Sequence, residues 1–255
     1  EEFWGLVDWF SEMLKSSGVE VKLGEIVTSS DVIDFDEVII ATGVSPRDPK
    51  IKGHEKNNVV SYVEVLNGTG QIGQKVVVIG AGGIGFDVSE YLVHENKSDN
   101  KQIEIPKWMK EWGVGDPNKT PGGLAESGPK PEAAVRQVTL MQRKKQKLGR
   151  NLGKTTGWIH RSALKMKNVQ MIGNVNYEEI TSEGIMVSDG ELRENPRLVS
   201  ADTVVICAGQ ESDRSLADEL IEKGKKVHII GGADVASELD AKRAIDQGVR
   251  LAISL

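Results

Sequence analysis

Six residues, Gly80-Ala81-Gly82-Gly83-Ile84-Gly85, restrict this chain more than any other part of it. They follow the apolar run Lys75-Val76-Val77-Val78-Ile79 and precede a helical stretch that runs through Tyr91 and Val93. Strand, glycine turn and helix in that order open a βαβ unit, in which the turn carries bare backbone to the mouth of a helix. Gly80 permits the tight turn, Gly82 lacks the Cβ that would block a diphosphate, and Gly85 lets the helix pack close to the strand. Gly83 and Ile84 add amides of the first helical turn, where the positive end of the helix dipole favours an anion. The competing reading, a glycine-rich turn without a ligand, leaves the placement of three glycines unexplained.

The end of the following strand, RQVTLMQ at 136–142, selects the dinucleotide. A free ribose 2′-hydroxyl calls for Asp or Glu there. This chain instead has Gln142-Arg143-Lys144-Lys145, with Lys147 and Arg150 following, which points to the 2′-phosphate of NADP(H). A guanidinium can hold a phosphate through two parallel hydrogen bonds while an ammonium acts as a point charge, so Arg143 leads and Lys144, Lys147 and Gln142 support it. The alternative is a solvated charge run. The usual interval of about 20 residues between turn and selector is stretched here to more than fifty. A segment at 95–134, rich in proline, glycine and charge, is expected to account for this as a surface excursion.

With 255 residues, 38% hydrophobic and 27% charged, the chain has the balance of one large or two ordinary globular domains. A net charge of -6 gives no general attraction to nucleic acid or to an anionic membrane. The single cysteine, Cys207, excludes an internal disulfide, a Cys-x-x-Cys pair and a self-contained cysteine-ligated cluster; it sits in an apolar run and is expected to be a buried thiol in a cytoplasmic protein. No apolar run approaches the ~20 residues that cross a bilayer. The chain opens on Glu1 and enters an amphipathic stretch, Phe3 to Leu14, at once, which reads as a fragment lacking its N-terminal part.

Further elements follow from periodicity: a helix over 3–16, strands at 20–23, 36–43, 168–173, 203–209 and 227–232, a hairpin-like region from Val175 to Val199, and a helix from about Leu239 to Leu255. DEVIIATG at 36–43 and DTVVICAG at 202–209 are near copies that bracket the glycine turn, as when one nucleotide-binding domain is inserted into another. Residues 149–155, GRNLGKT, imitate a phosphate-binding GxxxxGK[ST] loop but have one residue too few between the glycines. Lys154, Thr155 and Thr156 either line the nicotinamide side of the cleft or start the helix GWIHRSAL. The histidines at 54, 94, 160 and 228 form no metal-binding spacing, and His160 and His228 are expected to be structural. No catalytic residue and no metal ligand is assigned.

ATG at 41–43, GAGGIGFD at 80–87, GKTTGWIHR at 153–161, VVICAGQE at 204–211 and HIIGGADVASELDAKRAIDQG at 228–248 together resemble the C-terminal half of the bacterial NADPH-dependent 2,4-dienoyl-CoA reductase family, nearly throughout the chain. The resemblance implies an α/β fold in which a Rossmann-like NADP-binding domain, 66–204, is inserted into a truncated FAD-binding domain, 1–65 and 205–255. It further implies an absent N-terminal TIM barrel with FMN, a four-iron cluster and the dienoyl-CoA site, the barrel being the missing partner of the same polypeptide. In such proteins hydride passes from NADPH to FAD, and electrons continue singly through the cluster to FMN. Ala208, Gly209 and Gly232 would border the cofactors, and Asp234 would hydrogen-bond the FAD ribityl chain, its alternative role being a helix cap. The first pyrophosphate loop of the FAD domain is missing, so FAD binding is expected to be weak or lost. An enoate-reductase or amine-dehydrogenase relative, and a non-catalytic nucleotide-binding module, remain as alternatives.

Overall fold

The computed structural model describes residues 2–94, 105–237 and 239–255. The chain forms two compact units, residues 45–211 and residues 1–44 with 212–255, so it crosses from one to the other twice.

In the larger unit five parallel strands form one sheet in the order β3 (Val59–Ser61), β10 (Thr203–Ile206), β4 (Lys75–Ile79), β5 (Gln137–Met141) and β6 (Gln170–Ile172). The sequence dictates this through β4. Four consecutive β-branched residues suit the pleated backbone, and all four are buried, as in a strand covered on both faces. Successive side chains of a strand point to opposite faces. Val76 and Val78 accordingly join one core with Phe86, Leu92, Leu140 and Leu164, whereas Val77 and Ile79 join another with Met141, Ile180, Ile185 and Val187. The first core lies under the helices α3 (Tyr62–Leu66), α4 (Gly83–Val93) and α6 (Gly157–Met166). The second lies under the antiparallel sheet of β7 (Val175–Thr181), β8 (Gly184–Asp189) and β9 (Glu194–Ser200). At the start of β4 the Asp202 carboxylate accepts the amides of Gln74 and Lys75 at 2.9 and 2.8 Å. β3 pairs with β10, so the sheet that carries the glycine turn begins before residue 66.

In the smaller unit β1 (Glu37–Ile40) pairs in parallel with β12 (Lys226–Ile229). Val38 and Ile40 pack with Ala217 and Leu220 of α7 (Ser215–Glu222), and α2 (Ser29–Val32) is tied to α7 by the Ser29 hydroxyl, which donates to Glu219. The unit also carries α1 (Glu2–Ser16) and α8 (Ala241–Ser254). Short strands β2 (Val44–Pro46) and β11 (Gln210–Ser212) form a further pair.

The strand expected at Glu20–Leu23 is not formed: these residues are irregular and exposed, and no neighbouring strand offers their backbone a ladder. In the segment expected to be an excursion, residues 95–104 lie outside the described residues; the rest holds α5 (Ile105–Trp112), which has no buried residue, and a short 3-10 turn at Pro121–Gly123. No TIM barrel occurs among the described residues, and none of their helices is long and apolar enough to cross a membrane.

Candidate nucleotide-binding site

Strand order reverses around β4 and β10, and in an open parallel sheet the crevice beyond the carboxyl ends of the strands at such a point is where ligands bind. A cleft of about 350 Å³ lies there, bordered by Gly80, Ala81, Gly82, Gly83 and Ile84 after β4, by Gln142, Arg143 and Lys144 after β5, and by Cys207, Ala208 and Gly209 after β10. The ladder holds these ends in place: Gly80 N donates to Met141 O at 2.9 Å and Cys207 N to Ile79 O at 2.8 Å.

Two of the glycines are required by the protein's own packing. Gly80 has φ +107, and a Cβ there would stand 2.5 Å from the Cys207 carbonyl oxygen. A Cβ on Gly85 would stand 1.7 Å from Gly80 O. Gly82 and Gly83 differ, because a Cβ at either would meet nothing within 4 Å. The protein's own packing does not require their small size, and both border the cleft. Gly82 is the N-cap of α4, with no side-chain cap and no acid in the first turn, so the first-turn amides remain open to an anion. The site therefore fits the diphosphate of a dinucleotide.

The cationic run divides. Arg143 and Lys144 are exposed and border the cleft, as do Gln146 and Arg150. Gln142 is buried, and its Nε2 donates to Lys144 O at 3.0 Å and to Gln146 O, so its amide group shapes the turn after β5. Lys147 faces a different hollow, with Trp158, Arg161 and Lys165. Lys154 and Thr155 do not border the cleft, and Thr156 is the N-cap of α6. In the false phosphate loop the amides of Arg150, Leu152 and Thr156 donate to Lys147 O, Gly149 O and Gly153 O, so these N–H groups are spent on the protein itself.

Side chains without a sequence signal also border the cleft, among them Arg47 and Tyr177. Arg47, in the irregular stretch before β3, donates Nε to Ala208 O at 2.9 Å, and its Nη2 donates to the same oxygen. Tyr177 reaches the cleft from β7. A second Gly-x-Gly-x-x-Gly string, Gly68 to Gly73, follows a helix and enters a strand, the reverse of the nucleotide-binding order. Its amides at Gly70 and Gly73 are spent on Glu64 O and Thr203 Oγ1.

Burial pushes the Cys207 thiol up to about 12, so it is neutral and inert at the floor of the cleft. His160 Nδ1 lies 3.3 Å from Glu90 Oε2, and His228 Nε2 2.7 Å from Glu37 Oε2. Among the described residues no group of three or more His, Cys, Asp and Glu could hold a metal ion.

In the smaller unit a recess of about 380 Å³ lies at the N-terminus of α8, lined by small residues such as Ala41, Gly43, Gly231 and Ala244. The helix is capped by Asp240, whose Oδ1 accepts from Arg243 N at 2.7 Å, so the capping role that stood as the alternative for Asp234 is not the one it plays. Asp234 Oδ2 accepts from Gln247 Nε2 at 2.8 Å, and Gln247 Oε1 accepts from Gly231 N at 2.7 Å. A Cβ on Gly232 would meet Val44 at 2.7 Å and Leu239 at 2.9 Å, so the backbone itself packs there. These residues fit at most the flank of an FAD.

The metal reductase of Desulforamulus reducens is 25% identical over 239 residues, covering 91% of this chain and 34% of that protein. The cinnamate reductase of Clostridium sporogenes is 38% identical over 94 residues, 36% of this chain and 14% of its own length. Among solved structures, a 2-naphthoyl-CoA reductase complex superposes with a TM-score of 0.74 and 22% identity, over 97% of this chain and 31% of that one. The chain thus spans about a third of the length of the first of these relatives and of that solved structure. The pyridine nucleotide-disulphide oxidoreductase profile matches residues 8–239, most of the sequence. Fold, glycine turn and profile agree, and the chain belongs to the pyridine nucleotide-disulphide oxidoreductase family.

Proposed function

We propose that this chain is the NADPH-binding, electron-input part of a larger flavoprotein oxidoreductase of the 2,4-dienoyl-CoA reductase type. The observation that carries the reading is the pairing of open space before Gly82 and Gly83 with the cations Arg143 and Lys144 at the end of the adjacent strand. The first-turn amides of α4 would hold the diphosphate, and Arg143 would select the coenzyme with the 2′-phosphate. Ala208 and Gly209 would border the bound nucleotide. Gly232 and Asp234 belong to the FAD side of the proposal, with residues 66–204 as the NADP domain and the flanking segments as the remainder of an FAD domain. Family membership implies an FAD as well as a nicotinamide dinucleotide. NADPH, when bound, supplies the hydride that an FAD accepts; the chain's own residues bind and orient the nucleotide. FAD is expected to bind weakly here, because among the described residues of the smaller unit none offers it a glycine-rich phosphate turn. FMN, a four-iron cluster and the acyl-CoA site belong, on this proposal, to a barrel elsewhere in the longer polypeptide.

The similarity to a metal reductase, a cinnamate reductase and a 2-naphthoyl-CoA reductase supports a second reading, in which the same input half serves a barrel with a different substrate. Fluorescence titration with NADPH and NADH tests what both readings share. Tighter binding of NADPH is expected; equal affinities would remove the 2′-phosphate selection. Dienoyl-CoA turnover by the longer protein separates the two.

A further inference from the structure

The antiparallel layer sends one side chain to the cleft, Tyr177, and its phenolic oxygen is shielded from solvent without any hydrogen-bond partner among the described residues. A buried hydroxyl in that condition has given up the bond it makes in water and gained none. Beside it a recess of about 340 Å³ opens, sharing Arg143, Tyr177 and Ala208 with the cleft.

The other side-chain donors around the recess are engaged. Lys50 Nζ lies 3.0 Å from Asp48 Oδ2, Lys52 Nζ 3.0 Å from Glu179 Oε2, and Arg193 pairs with Glu178. Asn176 Nδ2 donates to Ser188 Oγ at 3.3 Å and to Gly190 O at 2.6 Å. Arg143 has no hydrogen bond or ion pair among the described residues, so the free donors here are one guanidinium and one phenol. Burial raises the Tyr177 pKa and the charge of Arg143 opposes that rise, so the phenol keeps its proton through the neutral range and lies within electrostatic reach of Arg143.

We infer that Tyr177 is a specificity-determining residue of the nucleotide site: its O–H and the Arg143 guanidinium together take the 2′-phosphate of NADP(H), which seats in this recess. The inference rests on the reading of the cleft as an NADP(H) site. A phosphate monoester has three terminal oxygens. The guanidinium can engage two of them through parallel bonds, and the phenol the third. Gln142 and Lys147, which the sequence also suggests, contribute nothing: one is spent on its own turn and the other faces a different hollow.

Calorimetric titration of the chain and of Tyr177→Phe with NADP+ and NAD+ tests it. The variant is expected to lose about tenfold or more in affinity for NADP+, as for a hydrogen bond to a charged group, with its affinity for NAD+ unchanged. An unchanged NADP+ affinity, or an equal loss for both nucleotides, would overturn the assignment. The variant's melting temperature should not fall, since the hydroxyl has no internal partner; a clear fall would mean that it has one and overturn the assignment too. If the unmodified chain shows no preference for NADP+, the reading of the cleft fails and Tyr177 with it. If it prefers NADP+ and Tyr177→Phe does so equally, the assignment of Tyr177 alone fails.

Discussion

Gly85 faces Gly80 so closely that a Cβ on the first would stand 1.7 Å from the carbonyl oxygen of the second. That contact fixes α4 against the end of β4 and aims its first turn at the cleft. Gly85→Ala is expected to force the helix outward and destabilise the fold by about 1–3 kcal/mol, as overpacking does. Gly82→Ala, where a Cβ meets open space, should stay within about 1 kcal/mol of the parent, the range of N-cap exchanges. Thermal melts separate the two. Only the second should keep the fold while losing dinucleotide affinity by titration.

Arg143→Ala should weaken NADP+ binding by about ten- to a hundredfold, the range for hydrogen bonds to a charged group, and leave NAD+ nearly untouched. Lys147→Ala should change neither, because Lys147 faces away from the cleft. Affinities for both nucleotides, measured at one ionic strength, check the pair.

Phe86 is fully buried where α4 meets the sheet, among Val78, Leu92, Leu140 and Leu164. Phe86→Ala leaves a cavity as well as losing transfer energy, and should cost about 3–5 kcal/mol, read as a fall in the denaturant midpoint.

Burial pushes the Cys207 thiol up to about 12, so it stays protonated near neutrality. Thiol alkylation of the folded protein should therefore be slow, and should rise steeply once denaturant opens the sheet. Rapid labelling under native conditions would contradict this.

Hydrogen bonds from Lys226 and then His228 hold the Glu37 carboxyl below its ordinary value. A carboxyl whose folded pKa is depressed stabilises the fold above its unfolded pKa, and the contribution disappears as pH falls through the folded one. Glu37→Gln is thus expected to lower stability near neutrality and to flatten the acid limb of the unfolding profile, measured as melting temperature against pH.

The sheet and the glycine turn are legible in the sequence because both are local: Val76 to Ile79 state their burial through composition, and Gly80, Gly82 and Gly85 state the turn through spacing. Arg47 and Tyr177 are not legible. They reach the cleft only through the pairing of distant strands and the layering of one sheet on another, which no short window contains. Lys147 is a related case, lining a hollow apart from the cleft. The direction of each cation after β5 depends on the turn that Gln142 folds with its own amide, and periodicity does not carry that turn. At Glu20–Leu23 the strand pattern exists, but a strand without a neighbour to bond with has no reason to form.

Because β4 sends alternate side chains into two separate cores, sliding it by one position would exchange their contents, valine for valine, almost without changing hydrophobicity. The apolar letters cannot choose between the two settings. The choice falls to the strand's ends, where the Asp202 carboxylate grips two amides and Gly80 admits no Cβ, so a polar clamp and a missing methyl act as the index marks for an oily ruler.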